Sequence, residues 1–179
     1  MAQFKVFSPE VQVIGTAVLS VVKGMGAFQP MALKILARQG IADIQQDEWY
    51  GQQDWLNAFQ EISESMGGPV LRVIGHKIPE TAIWPPEVST IEQALVSIDV
   101  AYHMNHRNGN IGHYTFIKTG ERSGKMTCGN PYPCDFDFGI IEGTGKKFAP
   151  DKTFLRVQHD NSQPCRKADE DSCTYLITW

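Results

Sequence analysis

The chain has 179 residues, enough for one domain with its own core. Hydrophobic residues make up 42% and charged residues 20%, the balance of an ordinary globular protein. A net charge of −4 with no basic run excludes the electrostatic footprint of a nucleic-acid binder, and no apolar stretch is long enough to span a bilayer.

The chain opens with a short irregular lead-in over residues 1–7. Ser8-Pro9-Glu10 reads as a helix start, with a Ser cap, Pro at the first position and an acid in the first turn. Val11, Ile14, Val18, Val21 and Met25 then recur at helical spacing, predicting an amphipathic helix ended by Gly24 and Gly26. Its narrow apolar seam is suited to a second subunit, so residues 1–26 are a candidate dimerisation element. The stretch Val13 to Val22 has the apolarity of a signal-peptide core. Glu10 precedes it, Lys23 follows it and no small-residue cleavage site stands nearby, so it reads as a mature helix. Without an export signal the cysteines are expected as reduced thiols in a cytoplasm.

Met31 to Arg38 predicts a second helix, stopped at Gly40, and residues 41–48 a polar loop. Trp55, Phe59, Ile62 and Met66 share one helical face up to the stop signal Gly67-Gly68. Val70 to Ile74 begins a short helix that Pro79 closes, and Trp84-Pro85-Pro86 forces an extended connection. Ser89-Thr90-Ile91-Glu92 has the form of a capping box. The helix behind it places Ile91, Leu95, Ile98 and Tyr102 on one face and runs through His103-Met104-Asn105-His106-Arg107 to Asn108-Gly109.

The period then changes. His113 to Thr119 and Lys125 to Cys128 read as a hairpin about the turn 121–124. Residues 134–148 return to helix, and Gly139 and Gly143, costly inside a helix, imply close packing against its backbone. Phe154 to His159 and Cys173 to Trp179 alternate as two strands around the polar loop 160–172. The expectation is a single α+β domain over residues 1–179. Its helical N-terminal half precedes a four-stranded antiparallel sheet in strand-strand-helix-strand-strand order.

All four cysteines fall in the last third of the chain. Cys134, Cys165, Cys173 and His159 are the N/S donor types that zinc takes, so zinc is a candidate metal; small buried hydrophobes are the plainer reading of each thiol. Asp135 and Asp137 suit the first turn of a helix, and Asp137 could equally act as general base to Cys134. His103 and His106, three apart, could share a helical face as metal ligands.

In this order these residues resemble a superfamily of three branches. They are the vinyl-reductase-like small-molecule-binding domains, the small subunits of the TRAPP vesicle-tethering complex, and the haem-based nitric-oxide-binding domains. The resemblance spans residues 27–179. It rests on the helices stopping at Met66-Gly67-Gly68, on Asn105-His106-Arg107 before the hairpin, and on Cys165 and Cys173 closing the last hairpin. It implies a sensory domain holding an apolar or tetrapyrrole-like molecule between helices and sheet, against Trp55, Phe59, Leu95, Ile98, Tyr102, Arg107 and Phe138. The haem members carry a Tyr-x-Ser-x-Arg motif for the propionates and a helical His before it. Here His103-Met104-Asn105-His106-Arg107 matches only at Arg107 and residues 89–101 hold no His, so haem is not expected. The segment Cys134-Asp135-Phe136 with the late Cys-rich strands is also similar to L-2-amino-thiazoline-4-carboxylic acid hydrolases. That implies an alternative, a cysteine-dependent amide or thiazoline hydrolase with Cys134, Asp137 and Cys165 as its catalytic residues and a lowered Cys134 pKa. A zinc-stabilised structural or tethering protein is the third reading.

Overall fold

The structure, a computed structural model, describes residues 3–151 and 153–179. Met1 and Ala2 of the expected lead-in lie outside the described residues. The chain is α+β, with six α-helices and two antiparallel sheets among these residues. None of the helices is long and apolar enough to cross a membrane.

The first departure from expectation comes at Val11–Ile14, which enters a strand rather than a helix. β1 (Gln12–Ile14) pairs antiparallel with β2 (Trp49–Gly51) on one side and β3 (His106–Arg107) on the other. Burial alternates along it, Val11 and Val13 inward, and β-branched side chains suit that pleated setting. Helix α1 (Gly15–Gly24) starts only after the strand. A side chain at Gly15 would run into the carbonyl oxygen of Gln45. The α1 seam of Val18, Val21 and Val22 is buried within the chain, facing α4 (Pro69–Thr81), and so is not a free dimerisation surface.

Helices α2 (Gln29–Arg38) and α3 (Gln52–Met66) follow their apolar spacing. Gly67 ends α3 at φ +85°, a conformation open to glycine at little cost. The next helix is longer than expected, because α4 carries Pro79 inside its last turn instead of stopping before it. The Pro79 carbonyl, in the last turn and so without a helix partner, accepts from Lys147 Nζ at 2.6 Å and Trp84 Nε1 at 3.0 Å. The capping box of α5 (Ile91–Met104) is set one residue on from the expected one: Gln93 N–H bonds Thr90 Oγ1 and Thr90 N–H bonds Gln93 Oε1, each at 3.2 Å. The helix stops at Asn105 because His106 is drawn into β3 opposite Val13.

The larger sheet has the order β4-β5-β7-β6, formed by β4 (His113–Gly120), β5 (Ser123–Gly129), β6 (Arg156–His159) and β7 (Cys173–Thr178). Helix α6 (Cys134–Lys147) lies between β5 and β6 in the chain. Cys173, Tyr175 and Ile177 point inward from β7. The sequence reading omitted the three-stranded sheet, whose strands are too short to show a period.

Helices α4 and α6 touch backbone to backbone. A Cβ on Gly139 would press into the Arg72 carbonyl, one on Gly143 into that of His76, and one on Gly75 into that of Phe136. Arg72 sits with its guanidinium 3.8 Å over the Phe138 ring and bonds Glu142 at 3.0 Å. Gly139→Ala should therefore destabilise the fold by about 1–3 kcal/mol through overpacking, despite the roughly 1 kcal/mol that Ala gains over Gly in an open helix. Urea denaturation measures it, and an unchanged midpoint would contradict the contact.

Candidate functional site

A cavity of about 440 Å³ lies between α1, the end of α4, α5 and α6. That volume falls in the range of small-molecule pockets. Its wall is mainly apolar: Val13 and Ile14 from β1, Ala17 and Val21 from α1, Ile78 and Pro79 from the last turn of α4, Ala82 to Trp84 just after it, Ile98 and Ala101 from α5, Phe136 and Ile140 from α6. The exposed lining residues Ile83 and Met104 mark its mouth.

Few polar groups face this space, and most are committed. Trp55 Nε1 donates to Tyr132 Oη at 3.1 Å. Tyr132 O–H donates to His106 Nε2 at 2.8 Å, because His106 Nδ1 must carry the proton that bonds the Tyr102 carbonyl at 2.8 Å. Tyr102 O–H is held by the Ile111 carbonyl at 2.5 Å. Thr144 Oγ1 is the exception, a lining hydroxyl that is fully buried and has no partner among the described residues. Such an atom costs free energy unless something bonds it.

Of the residues expected to meet a ligand, Trp55, Ile98 and Tyr102 line the cavity. Phe59 and Leu95 lie in the core behind it, with Phe59 edge-on to Trp55 at 4.6 Å. Phe138 faces Arg72 and Tyr175 instead. Arg107 is exposed, with its guanidinium 4.3 Å over Trp49 and Nε on Gln12 at 2.8 Å. The sequence reading missed His106, Tyr114, Tyr132 and Thr144 as wall residues. A histidine directly after a helix of aromatic and aliphatic core positions was the available signal for His106.

A second constellation lies at the far end of α6. Cys134 opens α6, His159 closes β6, Cys165 precedes a 3-10 turn at Arg166–Ala168, and Cys173 opens β7. One donor atom from each lies within 4.8 Å of all the others. Cys165 Sγ is 3.8 Å from both Cys134 Sγ and Cys173 Sγ, and those two are 2.8 Å apart. Sulfurs around a tetrahedral zinc stand about 3.8 Å apart, given Zn–S near 2.3 Å; the two Cys165 separations match this, and the Cys134–Cys173 pair would have to open by about 1 Å to share the ion. His159 Nδ1 lies 3.0 Å from Asn161 Oδ1, and its Nε2 is buried without a partner among the described residues. A zinc-bound histidine is commonly arranged in this way, one nitrogen held and the other presented.

The Cys134 and Cys173 thiols are hydrogen-bonded to each other. The bond from Cys134 pulls the Cys173 thiol down, with help from the Arg166 charge, while the same bond and burial push Cys134 up. The lowered thiol of the pair is thus Cys173, where the sequence placed the expectation on Cys134. Asp137 is not a base beside Cys134 either. It is fully buried in an ion pair with Arg166, accepts from Tyr114 O–H at 2.5 Å and receives Asn130 Nδ2 at 3.4 Å. Burial pushes its carboxyl up, opposed by the Arg166 charge and the Tyr114 bond.

No family model and no curated protein matches the sequence. Solved structures do match in fold. One, described by its modulation of haem redox potential through porphyrin distortion, is 18% identical at TM-score 0.70, over 93% of this chain and 99% of that one. A mutant form of T. Tengcongensis H-NOX is 18% identical at TM-score 0.69, over 92% and 96%. An H-NOX protein from S. oneidensis in its Fe(II)NO state is 12% identical at TM-score 0.69, over 92% and 97%. The likeness falls on the haem nitric-oxide-binding branch of the resemblance, and the other named families receive no support. The expectation against haem is corrected by it, since these neighbours in fold are haem proteins.

Buried His106 has its pKa lowered from 6.5 to about 4, by desolvation above all. Between these values the unfolded chain binds a proton that the folded chain refuses. Stability is therefore full above pH 6.5 and falls as pH drops toward 4, by about 3 kcal/mol. Urea titrations of the wild type and His106→Gln across that window should show the slope in the wild type and its loss in the variant.

Proposed function

We propose that this chain is a small-molecule-binding sensory domain whose ligand occupies the cavity between α1, α5 and α6. The observation that carries the reading is the cavity itself, apolar in its walls yet holding the unpartnered Thr144 hydroxyl and the neutral imidazole of His106. An apolar, planar molecule with one or two polar groups suits those walls, and haem belongs to that class.

The fit to haem can be read from the wall. His106 would hold the iron through Nε2 only if Tyr132 gave up its 2.8 Å bond to that nitrogen, while the Nδ1–H on the Tyr102 carbonyl would keep the ring oriented. Among the described lining residues there is no Lys or Arg, so the propionates would be left to solvent at the mouth. Haem, when bound, supplies an iron centre for a diatomic gas. The chain's own part is to exclude water with Ile98, Phe136 and Ile140 and to place the Tyr132 and Trp55 donors beside the imidazole. Titration of the protein with haemin and with an apolar fluorophore tests this. One-to-one binding is expected, weakened at least about tenfold by Ala101→Trp, which fills the cavity. Binding of neither probe, or equal binding by the variant, would sink the proposal.

The cysteine cluster supports a second role, a structural zinc site of Cys134, His159, Cys165 and Cys173. It would tie the start of α6 to the β6–β7 hairpin. Native mass spectrometry should then show one zinc per chain, and prolonged chelation should lower the melting temperature by several degrees. A metal-free protein whose melting is indifferent to added zinc would remove the role.

A further inference from the structure

The surface of α5 holds a cluster that the cavity does not use. Asp99 and His103 stand one turn apart on the helix, and His113 reaches them from the first residue of β4. One ligand atom from each lies within 4.8 Å of the others. Sequence spacing pairs His103 with His106; the fold instead buries His106 in β3 and leaves His103 facing His113.

The details are those of a ligand set. His103 Nδ1 lies 3.5 Å from Asp99 Oδ2 and its proton is shared with the Asp99 carbonyl at 2.9 Å, so an ion held by Nδ1 would take the place of that proton, and a small turn of the ring would offer Nε2 instead. His113 Nδ1 lies 3.7 Å from Asp99 Oδ1, close to the separation of about 3.3 Å between two donors on one tetrahedral zinc. The Asp99 carboxylate is itself oriented, with Oδ1 accepting the Tyr114 backbone N–H at 2.7 Å. The two imidazoles lie 4.9 Å apart between centroids and 31° from parallel, with no hydrogen bond joining them among the described residues. Two rings from different elements thus converge on one carboxylate, and the set is open to solvent on its outer side.

We propose that Asp99, His103 and His113 bind a divalent transition ion of the zinc, nickel or cobalt class, separate from the cysteine cluster. Two imidazoles and a carboxylate select this class over magnesium or calcium. None of the three residues lines the cavity, so the ion has no enclosed substrate space beside it. Its effect is mechanical: it pins α5, which forms one wall of the cavity, to the edge strand β4.

A cobalt titration of the full chain, followed by absorption, separates the two clusters. Thiolate ligation brings intense charge-transfer bands in the near ultraviolet, whereas histidine and carboxylate give only weak visible bands. The proposal expects a binding event without charge transfer, weakened at least about tenfold in both His103→Ala and His113→Ala. Both replaced side chains are exposed, and metal-free melting curves verify that each variant folds. Nickel should raise the melting temperature of the wild type by more than that of the variants, which keep the cysteine cluster. Cobalt binding accompanied only by charge transfer, or unchanged affinity in both variants, would overturn the site.

Discussion

The buried ion pair between Asp137 and Arg166 is the constraint on which the C-terminal half depends. Both side chains are fully removed from solvent, where two charges survive only if each is bonded on several sides. The fold meets that demand from four places. Tyr114 comes from β4, Asn130 from the approach to α6, Asp137 from its first turn, and Arg166 from the loop behind Cys165. Removing one partner from such a pair typically costs about 3–5 kcal/mol. The pair therefore fixes where α6 begins and where the loop carrying Cys165 lies.

This network also joins the two candidate sites. Tyr114 has its ring in the cavity wall and its hydroxyl on Asp137. Arg166 bonds that same carboxylate and gives its backbone N–H to Cys173 Sγ at 3.4 Å. A continuous run of hydrogen bonds thus leads from the cavity wall to the thiols. The likeness to H-NOX structures concerns the fold over 92–93% of the chain, and the polar details of the wall belong to this sequence.

Much of this was legible in residue order. The spacings of Met31–Arg38 and Trp55–Met66, the Gly67 stop, the hairpin and α6 follow local rules, and Gly139 and Gly143 announced their close contact by being out of place in a helix. The convergence of Cys134, His159, Cys165 and Cys173 was visible as a set of donor types, though only the β6–β7 pairing brings them together. What stayed hidden is non-local. Three residues of β1 and two of β3 are too few to carry a period, so Val11–Ile14 read as helix and His106 as its continuation. Asp137 looked like a base because nothing near it in sequence declares Arg166 as its partner. Whether Trp55, Ile98 and Tyr102 fill a core or border a space depends on the distance between helices, which no single helix encodes.

The three glycines between α4 and α6 bear on how this domain can diversify. With carbonyl oxygens pressed against Gly75, Gly139 and Gly143, the two helices form a spine along which no side chain can grow. A lineage that reshapes the pocket for a different guest is freer to do so through α1, α5 and the segment after Pro79 than along the glycine contact. Those are the parts that a guest would meet on its way in, so the adaptable surface and the entry route are the same.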